Sequence, residues 1–244
     1  MDSTSLAFKV YLILGFELTI LYGCIFLIIQ ECKKAFYAKT TFLGIAFAEA
    51  VNQNRQTDIT IVSNKFTDHL FFFLILFAII SVWTAGATIV FTSSFIQIIF
   101  MTLSAIGYGS VIGFMVIDMD ENDGMTGLKG ATLTTAAMFI VAVITGINFA
   151  NPIFVLIVVA LILILIFAEF FLMFKKISRG TRRIKAIAGI VIFSMSLLVS
   201  ISSVNVSADQ GLNDWDTAIS LAFSMYLEII NIILYFLEAM ANSS

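Results

Sequence analysis

A chain of 244 residues that is 60% hydrophobic and only 12% charged cannot clothe a water-facing surface, for which soluble proteins use about 25% charged residues. Its 13 Lys and Arg and 16 Asp and Glu give a net charge of -3. They cluster between long uncharged runs, and the basic residues are not interleaved with aromatics, which argues against nucleic acid as a partner.

In chain order, the first predicted helix covers 6–30. The residues before it, Met1-Asp2-Ser3-Thr4-Ser5, lack the positive start of a signal peptide, and the apolar run is too long for one, so this helix is expected to remain as an anchor. Cys24 lies inside the run and Cys32 just beyond it. Two cysteines exclude a disulfide framework and show no metal or redox spacing, so both are expected as free thiols. Residues 31–69 hold Lys33, Lys34, Lys39, Arg55 and Lys65 around a polar centre, Asn52-Gln53-Asn54-Arg55-Gln56. Within them, Phe42 to Val51 is apolar but about half the length of a membrane span. A basic loop or interfacial helix is expected there.

Six further spans follow at 70–92, 95–117, 129–149, 152–174, 184–206 and 216–240, each close to the roughly 20 residues that cross a bilayer. His69, the only histidine, precedes the second and is expected at the interface. Only Ser93-Ser94 separates the second from the third, so a tight helical hairpin is expected rather than one long broken helix. Gly109 and Gly113 have the G-x-x-x-G spacing of close helix packing in membranes. Pro152, the single proline, follows Asn151, a helix start with a capping residue. The fold class is therefore all-α: a polytopic membrane protein of about seven transmembrane helices, in a single membrane domain over 1–244.

Lys and Arg set orientation. The loops 31–69 and 175–185 are basic, the second with Lys175, Lys176, Arg179, Arg182, Arg183 and Lys185, whereas 207–216 carries Asp209, Asp214 and Asp216 and no base. Seven spans place both basic loops and the C-terminus on the cytoplasmic side. The acidic turn Asp118-Met119-Asp120-Glu121-Asn122-Asp123-Gly124 falls on the same side. It fails as an EF-hand, which needs glycine at its sixth position and glutamate at its twelfth where this chain has Asp123 and Lys129. A solvated turn is the plainer expectation, and cation attraction by Asp118 and Asp120 the alternative.

Ionisable residues inside a span are expensive and so are candidates for function. Glu228 is the deepest. Ser224, Glu228, Asn231 and Tyr235 recur at intervals of four, three and four, which puts them on one face of the last helix. Gly189, Ser196, Ser200 and Ser203 form a small-residue face on the sixth, suited to close approach. Glu228 is then either a proton-sensitive group or a carboxyl that locks two helices by hydrogen-bonding a serine. Glu17 is near mid-span without an identifiable partner. Glu169 lies close enough to Lys175 and Lys176 to reach the interface, and Glu238 is expected to be wet. No motif of catalysis, cofactor binding or metal ligation appears, so the chain is not expected to be an enzyme.

The last helix, Ser224-Met225-Tyr226-Leu227-Glu228-Ile229-Ile230-Asn231 followed by Leu234 and Leu237, resembles the closing helix of the Bax inhibitor-1 (transmembrane Bax inhibitor motif) family, which typically reads L-Y-L-D-x-I-N-L-F. Lys9-Val10-Tyr11, the Gly109/Gly113 pair and Thr135-Ala136-Ala137-Met138-Phe139 resemble other stretches of that family in the same order. The resemblance implies a helical bundle around a central last helix, with calcium leak, pH sensing and protection from cell death as the associated functions. In bacterial members an aspartate in the sixth helix pairs with one in the seventh. Here Glu228 stands at the seventh-helix position and the sixth-helix aspartate is missing. Asn205 is its nearest isostere by spacing and Ser200 the alternative. A single carboxyl titrates alone, so a paired latch is not expected.

The expected function is a calcium or cation leak through the bilayer with proton-sensitive tuning at Glu228, helped by Asn205, Ser200 and Asn231. The alternative is a non-conducting regulator that binds other membrane proteins, such as a protease or cell-death factor. A bacterial inner membrane or an intracellular membrane suits either.

Overall fold

The computed structural model describes residues 5–51, 57–62, 64–91, 94–119, 121–173, 175 and 178–242. Among them are seven helices, α1 (Leu6–Tyr37), α2 (Lys65–Phe91), α3 (Ser94–Asp118), α4 (Glu121–Thr145), α5 (Pro152–Met173), α6 (Arg179–Asp209) and α7 (Trp215–Ala241), with strands β1 (Phe47–Val51) and β2 (Thr57–Ile61) between α1 and α2. Each helix contains a stretch long and apolar enough to cross a membrane. Even α5, the shortest at 22 residues, rises about 33 Å, enough for a hydrocarbon core of about 30 Å. Side chains such as Phe72, Phe73, Trp83, Leu156 and Phe171 are exposed, which suits a lipid solvent and would be untenable over so much surface in water. The chain is an all-α polytopic membrane protein.

Helix ends run further into charged sequence than the apolar runs predict. α1 continues through Lys33 and Lys34 to Tyr37, and α2 begins at Lys65 with His69 exposed in its second turn. α6 opens at Arg179, so Arg182, Arg183 and Lys185 are helical, not loop. Lys and Arg are good helix formers, and Ser178 caps the start by accepting from the Thr181 amide at 3.2 Å. α4 likewise takes in Glu121 and Asp123, since acidic residues in a first turn complement the helix dipole. The solvated acidic turn is thus mostly helix, and Asp120 lies outside the described residues. α4 ends at Thr145, before the expected 149, where Gly146 turns left-handed at φ 60°.

The expected interfacial helix at Phe42 to Val51 is not formed. Leu43 and Gly44 have φ of 50° and 77° in a tight turn closed by mutual bonds between Phe42 and Ile45, after which β1 pairs antiparallel with β2 from Phe47↔Ile61 to Val51↔Thr57. Thr57-Asp58-Ile59-Thr60-Ile61 alternates and is rich in β-branched residues, a pattern that favours a strand. The polar centre 52–56 lies outside the described residues, as do Ser93 and Lys176.

Contacts divide the chain into two compact units, Gly15–Met125 and Met1–Leu14 with Thr126–Ser244. In the first, α2 and α3 form the expected hairpin. A Cβ built on Gly107 would stand 3.1 Å from Ala78 Cα. α3 also meets α1 through the G-x-x-x-G pair. A Cβ on Gly109 would lie 2.7 Å from the Leu21 carbonyl oxygen, and one on Gly113 would lie 2.8 Å from Ile28 Cβ. Glycine is required here by backbone approach. In the second unit, Lys9 is buried, donates to the Asn213 carbonyl at 2.8 Å and stands 5.1 Å over the Trp215 ring. It ties the start of α1 to the turn between α6 and α7.

Candidate functional site

α6 and α7 are joined by a short turn in which Gly211 is left-handed at φ 79°. Asp214 caps α7, accepting from the Thr217 amide at 2.8 Å and its hydroxyl at 2.9 Å. These bonds hold the Asp214 carboxyl below its ordinary value of 3.8, the amide contributing most. A short antiparallel connection fixes the register of the two helices, and that register carries the site.

Along the seam, Ser200 faces Ser224 at 3.2 Å. One turn deeper, Glu228 Oε1 accepts from Ser196 Oγ at 2.6 Å and Ser200 Oγ at 2.8 Å. The carboxyl is buried, and its Oε2 has no hydrogen-bond partner. Further along, the Tyr235 ring covers Gly189, where a Cβ would come within 2.6 Å of it. The ring stacks on Phe193 with centroids 5.7 Å apart. The small face of α6 therefore receives the polar stripe of α7, as their spacing predicts. Ser203 instead bonds back to the Val199 carbonyl, and Asn231 to the Leu227 carbonyl of its own helix at 2.8 Å.

Asn205 is not part of this arrangement. It is exposed and lines a cavity of about 190 Å³ with Asn148, Ser202 and Asp209. The antiparallel register that sets Ser196 against Glu228 puts Asn205 level with Ile219. Ser200, the other candidate partner, takes the contact.

Glu17 is fully buried in α1 and accepts from Thr102 Oγ1 of α3 at 2.8 Å, with Oε2 unpartnered. The sequence left that partner open. Glu169 meets Lys185 of α6 and Tyr235 of α7. Lys185 Nζ lies 2.8 Å from its Oε1, and the Tyr235 hydroxyl donates to the same oxygen at 3.2 Å. Glu238, expected to be wet, is half-buried and pairs with the same Lys185 at 2.7 Å. This network was missed, although Lys185 sits four residues before Gly189 and Glu238 three after Tyr235. Both spacings extend the two faces already recognised. Asp118, at the end of α3, accepts from the Ile61 amide at 3.4 Å and so anchors β2. No three His, Cys, Asp or Glu side chains converge on a metal position among the described residues.

What the seam can do chemically follows from Glu228. Two hydroxyls converge on one oxygen while the other is buried without a partner, a geometry suited to a carboxyl that takes up and gives off a proton at Oε2. No protein-family model, curated protein or solved structure matches the chain, so the site rests on its own geometry.

Proposed function

We propose that this multi-pass membrane protein is a leak pathway for cations, calcium among them, tuned by the protonation of Glu228. The observation that carries the reading is the buried carboxyl held by Ser196 and Ser200 with its second oxygen unpartnered. Buried polar groups are normally satisfied, so an unpartnered carboxyl oxygen calls for an explanation. The neutral acid leaves the α6/α7 seam closed. The ionised form sets a charge opposite two hydroxyls and no base, a state relieved by admitting water or a cation. The likeness of the last helix to the Bax inhibitor-1 family supports the reading, and the single carboxyl departs from that family's pair. Titration here involves one group and not a coupled pair.

The test is calcium flux into liposomes carrying the purified protein, at mildly acidic and mildly basic pH. Protein-dependent flux that varies with pH, and loses that variation in Glu228→Gln, is expected. Flux with an unchanged pH response in the variant would sink the assignment of the site. No flux from folded, inserted protein would favour the second reading, a non-conducting regulator of other membrane proteins. That reading draws on the exposed Arg182 and Arg183 in the opening turns of α6, a basic surface for a protein or anionic-lipid partner.

A further inference from the structure

Beyond the level of Glu228 the α6/α7 seam does not fade into apolar packing. It ends in the network of Lys185, Glu169, Glu238 and Tyr235. The Lys185 side chain is only 13% exposed although it lies in the second turn of α6. It bridges carboxylates from two other helices, 2.8 Å to Glu169 of α5 and 2.7 Å to Glu238 of α7. Tyr235 sits between this bridge and Glu228, seven residues or two turns from the latter on the same face. Its ring fills the space left by Gly189, and its hydroxyl is drawn to Glu169. One cation thus ties three helices together, and the Tyr235 ring lies along α7 between this bridge and the level of Glu228.

We propose that Lys185, through Glu169 and Glu238, positions Tyr235 as a plug that closes the α6/α7 seam at the end bearing the start of α6, and that Glu228 becomes accessible to water from that side only when the bridge opens. Removing the cation leaves two partly buried carboxylates, Glu169 and Glu238, around the position that Lys185 Nζ held, which repels the α5 and α7 ends apart. An arginine at 185 keeps the charge and the bridge. The consequence for flux rests on the leak reading; the closure itself does not.

The test measures access directly. With Cys24→Ala and Cys32→Ala removing the native thiols, Ser196→Cys places a reporter beside Glu228, and its modification by a membrane-impermeant methanethiosulfonate is timed in proteoliposomes. Slow modification is expected in this background. Adding Lys185→Met should speed it by about tenfold or more, the size expected when a tie holding a local opening equilibrium is lost, whereas Lys185→Arg should restore the slow rate. Glu238→Gln and Tyr235→Phe should give intermediate rates, and they carry the test should Lys185→Met fail to insert. Equal rates in the background, Lys185→Met and Glu238→Gln would overturn the proposal, as would equal acceleration by Lys185→Arg and Lys185→Met. Accelerated modification without any calcium flux would leave the plug standing and remove the leak.

Discussion

Among the described residues two glutamates are buried, Glu17 and Glu228, and they are held in different ways. Glu228 lies in a seam of hydroxyls, receiving Ser196 and Ser200 from α6, with Ser224 one turn away. Glu17 receives the Thr102 hydroxyl, and two turns further along α3 the helix meets α1 by close backbone approach at Gly109 and Gly113. In lipid the hydrophobic effect does not draw helices together, so association must come from close packing or from hydrogen bonds. The α1/α3 contact relies on the first and spends little polarity. The α6/α7 contact combines close packing of Tyr235 on Gly189 with the second, the hydroxyls that converge on Glu228. The hydroxyls of Ser196 and Ser200 can serve either protonation state of the carboxyl, which is why Glu228 is the better candidate for a group whose state changes.

The comparison breaks most readily at Gly109. Valine there must push into the Leu21 carbonyl and Cys24 Cβ, each 2.7 Å from the new carbon, and backbone cannot give way. A loss of about 3 kcal/mol is expected, seen as a large fall in Tm in detergent; a tolerant Gly109→Val would show that this contact is looser than its geometry. Next comes Thr102→Val, which strips Glu17 of its hydroxyl donor and should cost about 2 kcal/mol. Ser196→Ala should cost less, about 0.6 kcal/mol, because Ser200 still donates to Glu228. If the two substitutions proved equally damaging by thermal unfolding, the contrast between single and shared support would fail. The smallest effect belongs to the cap of α7. Asp214 is held below its ordinary 3.8 in the folded chain, so its stabilisation is complete above that value and is lost as pH falls through the lower folded value. Asp214→Asn, an equally good cap, should match the parent near neutral pH and lose this acid-side decline in an unfolding series.

The sequence alone determined the solvent and the count of helices, because a chain with so little charge leaves no other way to satisfy its backbone in lipid. It also determined which faces of α6 and α7 are polar, since helical spacing is local information. The strand character of Thr57 to Ile61 was equally present in its alternation, but the length argument applied to Phe42–Val51 obscured it. What only the tertiary structure decided is which level of one helix meets which level of the next. Spacing favoured Asn205 over Ser200, and the register set by the turn at Gly211 and the Asp214 cap chose Ser200 instead. The pairing of Lys185 with Glu169 and Glu238 likewise joins three helices across 16 and 53 residues of chain. Periodicity places a side chain on a face; its partner depends on how far each helix slides along its neighbour, and that is settled by packing between surfaces that no local pattern records.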